Sequence, residues 1–358
     1  MWKLIKRMTN SSKQNQESGN NSTNLQGQSV VVNQGISYSD AKEIAIDVFK
    51  ANFLDLSQQA SQTAVARAEE LVDNFIEKLK DRDPNSIKNM ESPGVQYALY
   101  NAQKEYARTG DKELSDVLVD ILVDRAGQKD RNLKQIVLDE SISVVPKLTV
   151  QQMDTLSLVF LLKYSQNYTV VDDKTLKDYL RTYISPFVSD LSKEPSLFQH
   201  LEFSGCGSIS MGARKIQDTF KTTYKGLFLK GFTREDFEKT FEDFSNYEQL
   251  LIPCINDNNL LQICARSDEH LEELLKNLNI TDLNKINQLK GLFSRSPMNA
   301  NEIIEKLKSC ESSIENFIEV WNDSSMKNMT LTSVGIAVAN ANIRRKTGIS
   351  IDLGIWIK

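Results

Sequence analysis

From Ser37 to about residue 190, apolar residues recur three and four positions apart, and Gly or Pro seldom interrupts them. Ala64, Val65, Ala68, Leu71, Val72, Phe75, Ile76 and Leu79 keep that spacing until Asp83-Pro84 stops it. The period places side chains on one face of a helix, whereas a half-buried strand alternates in twos. With only 15 Gly and 7 Pro in 358 residues, few turns are available for a β fold. The expected class is mainly α.

Ser37 or Ser39 caps a first helix with an apolar face of Ala41, Ile44, Ala45, Val48, Phe49 and Phe53. Further helices are expected over about 93–109, 112–127, 130–144, 149–166 and 172–190, joined by breaks such as Thr109-Gly110-Asp111. Short connections imply antiparallel neighbours, hence a helical bundle or stack over 37–195. No fixed-period repeat is apparent.

After Pro195 the texture changes. A glycine-rich turn, Gly205-Cys206-Gly207, precedes expected helices at 213–224 and 233–245. Gln249–Ile255 and Leu260–Ala265 then flank Asn256-Asp257-Asn258-Asn259, a hairpin signal. Helix, helix and hairpin over 196–295 suggest a small winged-helix-like α+β domain. Its second helix carries five acids (Glu235, Asp236, Glu238, Glu242, Asp243) against Arg234 and Lys239, the wrong sign for entering a DNA groove. The net charge of −5 points the same way, so nucleic acid is not the expected partner.

Residues 296–358 read as C-terminal helices and a strand. Ile303, Leu307, Cys310, Ile314, Phe317 and Trp321 follow a 4-3-4-3-4 seam, expected to pack within the chain. A helix from Thr332 closes at Gly348, and a terminal strand is expected over Ile349–Ile357.

Little recognisable chemistry accompanies this architecture. The two histidines are His200 and His270. Cys206 and His200 make the one candidate catalytic pair: a turn at the start of a helix would expose the thiol and lower its pKa. That reading is a cytosolic cysteine-dependent enzyme, against a structural turn with a buried thiol. Gly207–Arg214 has the glycine spacing of a phosphate loop but lacks its Lys and Ser/Thr, and no GxSxG, HExxH or EF-hand pattern occurs. No cofactor or metal is expected. Cys206, Cys254, Cys264 and Cys310 have no CxxC spacing and read as reduced cytosolic thiols, with Cys254 and Cys264 the pair that facing strands would bring together. Asp172-Asp173 and Glu272-Glu273 read as solvated helix termini or faces.

The first 36 residues differ from all of this. Residues 1–8 form a cationic amphipathic segment in which Trp2, Leu4 and Ile5 supply apolar surface and Lys3, Lys6 and Arg7 supply charge. Such segments lie in an anionic membrane interface, but two turns hold weakly and need several copies. Residues 9–24 are a polar tether. Leu25, Gln26, Val30, Val31 and Val32 are strand-prone, and an isolated strand needs an edge to pair with, so self-association is expected there. No secretory signal fits residues 1–8. The run Leu156–Leu162 is too short for a bilayer that needs about 20 residues. The expectation is a cytoplasmic homo-oligomer, with a peripheral contact on the inner face of the membrane.

Gly19-Asn20-Asn21-Ser22-Thr23-Asn24-Leu25-Gln26, Tyr106-Ala107-Arg108-Thr109-Gly110-Asp111, Gly205-Cys206-Gly207-Ser208-Ile209 and Leu331-Thr332-Ser333-Val334-Gly335 with Trp356-Ile357 resemble a family of uncharacterised bacterial proteins over nearly the whole chain. The resemblance supplies no catalytic residues. The N-terminal strip is also similar to β-forming segments of bacterial conflict proteins, including NLR-like NTPases. The chain has no intact Walker motif, so that likeness implies an accessory or effector component. The functional expectation is a non-enzymatic, self-associating scaffold or effector with a protein partner, in phage defence at the inner membrane surface. The alternatives are the Cys206/His200 enzyme and a winged-helix DNA-binding protein.

Overall fold

The structure, a computed structural model, describes residues 36–52, 58–241 and 244–358. The fold is mainly α, and its few strands are short and antiparallel. The expected membrane segment at 1–8, the tether and strip at 9–35, and Phe53 lie outside the described residues.

The N-terminal half consists of helices α1 (Tyr38–Asn52), α2 (Gln58–Arg82), α3 (Pro93–Thr109), α4 (Lys112–Ala126), α5 (Leu133–Val144) and α6 (Val150–Lys163). Ser37 starts α1 by a reciprocal cap with Asp40, each backbone N–H bonding the other side chain at 2.9 and 3.2 Å. Helix α2 buries Ala64, Ala68, Leu71, Val72, Phe75, Ile76 and Leu79 and ends before Pro84, whose ring cannot continue the ladder. Helix α3 ends at Gly110, held in the left-handed region at φ 68°, and Asp111 at once caps α4. Thr149 and Gln152 cap α6 reciprocally.

The pattern expected as one helix over 172–190 is broken. Helix α7 (Asp173–Tyr179) widens into a π turn over Leu180–Ile184 and tightens into a 3-10 turn over Ser185–Phe187. Pro186, which has no N–H, sits at the start of that last turn.

Helix α8 (Pro195–Phe203) leads into strand β1 (Gly207–Ile209), which pairs with β4 (Met329–Leu331), Gly207 opposite Leu331 and Ile209 opposite Met329. The far edge of β4 is closed by α6: Leu331 N–H donates to Tyr164 Oη at 2.7 Å, and Lys163 Nζ donates to Met329 O at 2.8 Å. Immediately after β4, Thr332 caps α15 (Ser333–Thr347), which Gly348 closes. Helix α15 is the central strut, packed on α4, α5 and α6 and buried from Gly335 through Arg344.

Helices α9 (Ile216–Thr223) and α10 (Arg234–Thr240) precede a hairpin of β2 (Leu251–Cys254) and β3 (Asp257–Ile263), followed by α11 (Asp268–Asn277) and α12 (Leu283–Phe293). The hairpin is present, but the winged-helix arrangement finds no support here. Ile216 and Phe220 of α9 belong to the large core, which extends from Ala41 to Ile357. Phe237 of α10 belongs to a second, smaller core built from residues between Leu229 and Phe293.

Two further expectations are corrected at the C-terminal end. The seam from Ile303 to Trp321 crosses a break between α13 (Ala300–Cys310) and α14 (Glu315–Asp323), where the Glu311 carboxylate accepts from Ser313 N–H and starts a new turn. The terminal strand is absent. Asp352 accepts from Gly354 N–H at 2.8 Å and folds Leu353–Ile355 into a 3-10 turn, which returns Leu353 and Ile357 to the core.

Candidate functional site

The residues singled out for nucleophilic chemistry are not arranged for it. Cys206 follows α8 and precedes a strand, so no helix N-terminus faces its thiol. The side chain is fully buried, and burial pushes the thiol up to about 12, the reverse of the lowered pKa expected for an exposed turn. The thiolate is the reactive form, so this environment disfavours nucleophilic attack. His200 Nδ1 lies 2.9 Å from Gln152 Nε2, beside the cap of α6, and the Cys206 Sγ contact is with Ser204 O at 4.0 Å. The hairpin does not pair Cys254 with Cys264 either: Cys254 opposes Asp257, while Cys264 N–H donates to Leu250 O. All four cysteines are free thiols. Asp172 is the cap of α7, as its position suggested. Among the described residues no cluster of His, Cys, Asp or Glu is arranged to hold a metal ion.

A different constellation gathers around the last turn of α15. Its three consecutive basic residues each reach an acid on another helix. Arg344 Nη1 lies 3.1 Å from Asp124 Oδ2 and 3.8 Å from Asp120 Oδ1, both on α4. Arg345 Nη1 approaches Glu113 at 3.7 Å. Lys346 Nζ donates to Asp154 Oδ2 on α6 at 2.6 Å and to Pro186 O at 3.1 Å. Asn342 Nδ2 completes the Asp154 shell, 2.9 Å from Oδ1. Cations at a helix C-terminus also face the negative end of its dipole.

From the opposite side, α2 sends Arg82 and Lys78 into the same cluster. Arg82 pairs with Asp124 and, at 3.1 Å, with Asp120; Lys78 Nζ lies 3.2 Å from Asp120 Oδ2. Burial raises the pKa of Asp120, and Lys78, Arg344 and Arg82 pull it back down. Asp154 is likewise raised by burial and lowered by Lys346 and Asn342. A cleft of about 780 Å³ opens between these helices, lined by Lys78, Arg82, Asp120, Asp124, Arg344 and Arg345 among others.

None of these ionic residues stood out as a motif. One signal was available: Asp120 sits within Val117-Leu118-Val119 and Ile121-Leu122-Val123, in a helix buried on nearly every side. A carboxylate in such a run must find cations, because an unpaired buried charge is too costly.

Lys163, at the end of α6, is a second perturbed group. Its ammonium donates to Lys327 O and Met329 O, each at 2.8 Å, and to Met326 O at 3.4 Å. Burial, helped by Arg214, pushes it down to about 8.

Two large apolar side chains stand out at the surface near β1. Phe203, the last residue of α8, is 89% exposed, and Met211, just beyond β1, is fully exposed. Between them Ile209 N–H donates to Glu202 Oε1 at 3.1 Å, which ties the two segments together.

A family model described as ":-like" matches residues 35–357. The chain belongs to that family. The matched span takes in both hydrophobic cores and the ionic cluster, and it leaves the candidate residues at 2–7 and 25–32 outside. No curated protein and no solved structure matches the chain. Among the described residues no helix is long and apolar enough to cross a membrane.

Proposed function

We propose that the chain is a non-catalytic, self-associating scaffold or effector that works through protein contacts, with copies meeting at the face that carries Phe203 and Met211. The observation supporting this is the near-complete exposure of those two side chains on either side of β1. Isolated exposed apolar residues are ordinary, but two large ones held together by the Glu202–Ile209 bond form a contiguous patch of the kind that protein partners cover. In this reading, copies gathered on one assembly also multiply the weak hold of residues 1–8 on an anionic inner-membrane surface, where phage defence would place an effector.

The cysteine-enzyme alternative is not carried forward, because the Cys206 thiol is buried and its pKa raised. DNA binding is disfavoured by the acids on α10, whose Glu235, Asp236 and Glu238 outnumber Arg234 and Lys239.

Sedimentation equilibrium tests the proposal on the full chain, the Phe203→Asp/Met211→Asp double variant and a chain starting at Ser37. A wild-type oligomer that becomes monomeric in the double variant, with unchanged circular dichroism, is the expected result. A monomeric wild type, or an oligomer that survives the double variant, overturns the assignment of this face. Loss of assembly only in the shortened chain would place it at the N-terminal strip instead.

A further inference from the structure

We infer that the cleft between α2, α4 and α15 is a binding site for a small phosphate-bearing ligand. Three features support this. First, the cleft, at about 780 Å³, falls in the range of small-molecule sites and exceeds what a bare ion needs. Second, its inner cluster is out of balance: Lys78, Arg82 and Arg344 converge on only two carboxylates, Asp120 and Asp124. Buried charge is normally matched, and a bound anion restores the match.

Third, the arrangement leaves a donor unused. Arg344 is nine-tenths buried, and its Nη1 and Nη2 bond Asp124 and Asn340, yet its Nε, also buried, has no acceptor. An orphaned guanidinium N–H in a cleft wall is unusual in a finished core, because the desolvation cost goes unrecovered. Two more cations on the same cleft are loosely held. Arg345 Nη1 lies 3.7 Å from Glu113, and Lys134 Nζ lies 3.8 Å from Asp352, both beyond hydrogen-bond distance. Planar guanidinium groups beside an ammonium suit the several oxygens of a phosphate better than a single point acceptor. The acids Asp83 and Asp116 on the same wall limit how much negative charge the ligand can carry, which favours a phosphate on a larger polar body over a polyanion.

Isothermal titration of the full chain with pyrophosphate, at low salt, tests this inference. Saturable binding is expected, weakened about tenfold by Lys134→Gln and by Arg345→Lys, which keeps the charge but loses the fork. Both variants leave the Arg82, Arg344, Asp120 and Asp124 cluster intact, and unchanged thermal midpoints without ligand confirm that they fold. No saturable heat up to about 10 mM pyrophosphate, or equal affinity in wild type and both variants, overturns the inference. Binding of a dicarboxylate such as malate in place of pyrophosphate overturns the phosphate class. None of these outcomes depends on the state of assembly.

Discussion

The main-chain carbonyl of Cys206 occupies the space that a side chain on Gly335 would need: a Cβ there would come within 1.8 Å of that oxygen. The contact fastens the α8–β1 turn to the first turn of the buried helix α15, and Thr332 N–H reinforces it by donating to Cys206 O at 3.1 Å. Gly335→Ala is therefore expected to destabilise by more than about 3 kcal/mol, because backbone on one side and a core helix on the other leave nothing flexible to move. Gly291→Ala in α12 meets nothing within 4 Å and should stabilise by about 0.5–1 kcal/mol. Urea unfolding of both variants checks the contrast, and similar midpoints would contradict the close approach.

The ammonium of Lys163 bonds three carbonyls of the segment leading into and along β4. Replacing it by Met strands those acceptors and is expected to cost about 3 kcal/mol. The pH dependence has a definite sign. The folded-state pKa of about 8 lies below the ordinary 10.5, so the folded protein holds fewer protons than the unfolded chain between those values. The contribution of this group to stability accordingly grows as pH rises through that window. Urea midpoints of wild type and Lys163→Met at pH 7.5, 9 and 10 should diverge progressively; parallel curves would show that the ammonium is not depressed.

Lys346 and Asp154 form a buried pair that should be strongly coupled. Lys346→Met leaves the Asp154 carboxylate with Asn342 alone and is expected to cost about 3–5 kcal/mol. Adding Asp154→Asn should recover at least about 1 kcal/mol of that loss, a coupling read from a double-mutant cycle. Burial already raises the Asp154 pKa, and removing Lys346 removes an opposing influence. The folded Lys346→Met protein then binds a proton more tightly than its unfolded chain, so its deficit should shrink as pH falls through the folded pKa. Purely additive single effects would mean that the two side chains act independently.

Cys206 should be inert in the native protein. Its buried thiol, with a pKa pushed up to about 12, presents almost no thiolate at neutral pH. Iodoacetamide labelling followed by peptide mass mapping should find Cys206 unmodified until urea unfolds the chain. Rapid native labelling would restore the enzymatic reading.

The helices of the N-terminal half were legible because one mechanism fixes them: an apolar stripe with a period of 3–4, ended by Pro84 or Gly110. The hairpin was equally local, and so was the stop of α15 at Gly348. What stayed hidden depends on distant residues or on competition within a turn. Nothing in Gly207–Ile209 announces a partner more than a hundred residues later in Met329–Leu331. The break at Glu311 and the fold-back at Asp352 turn on one side-chain carboxylate taking a backbone N–H, which outweighs the apolar period around it. The ionic cluster was hidden for a third reason. Arg344, Arg345 and Lys346 look like an ordinary solvated helix end, and only the three-dimensional arrangement opposes them to Asp124, Glu113 and Asp154.

Helix α15 also has a consequence for how the protein is made. A ribosome delivers α4, α5 and α6 some two hundred residues before the helix that fills the space between them. Until that late segment emerges, Leu118, Leu122 and Leu158 have no cover from Ile336, Val338 and Ile343, and long-range closure of this kind is slow. A message cut short before codon 333 therefore encodes not a shorter version of the protein but an open groove, the sort of nascent chain that chaperones hold and proteases clear.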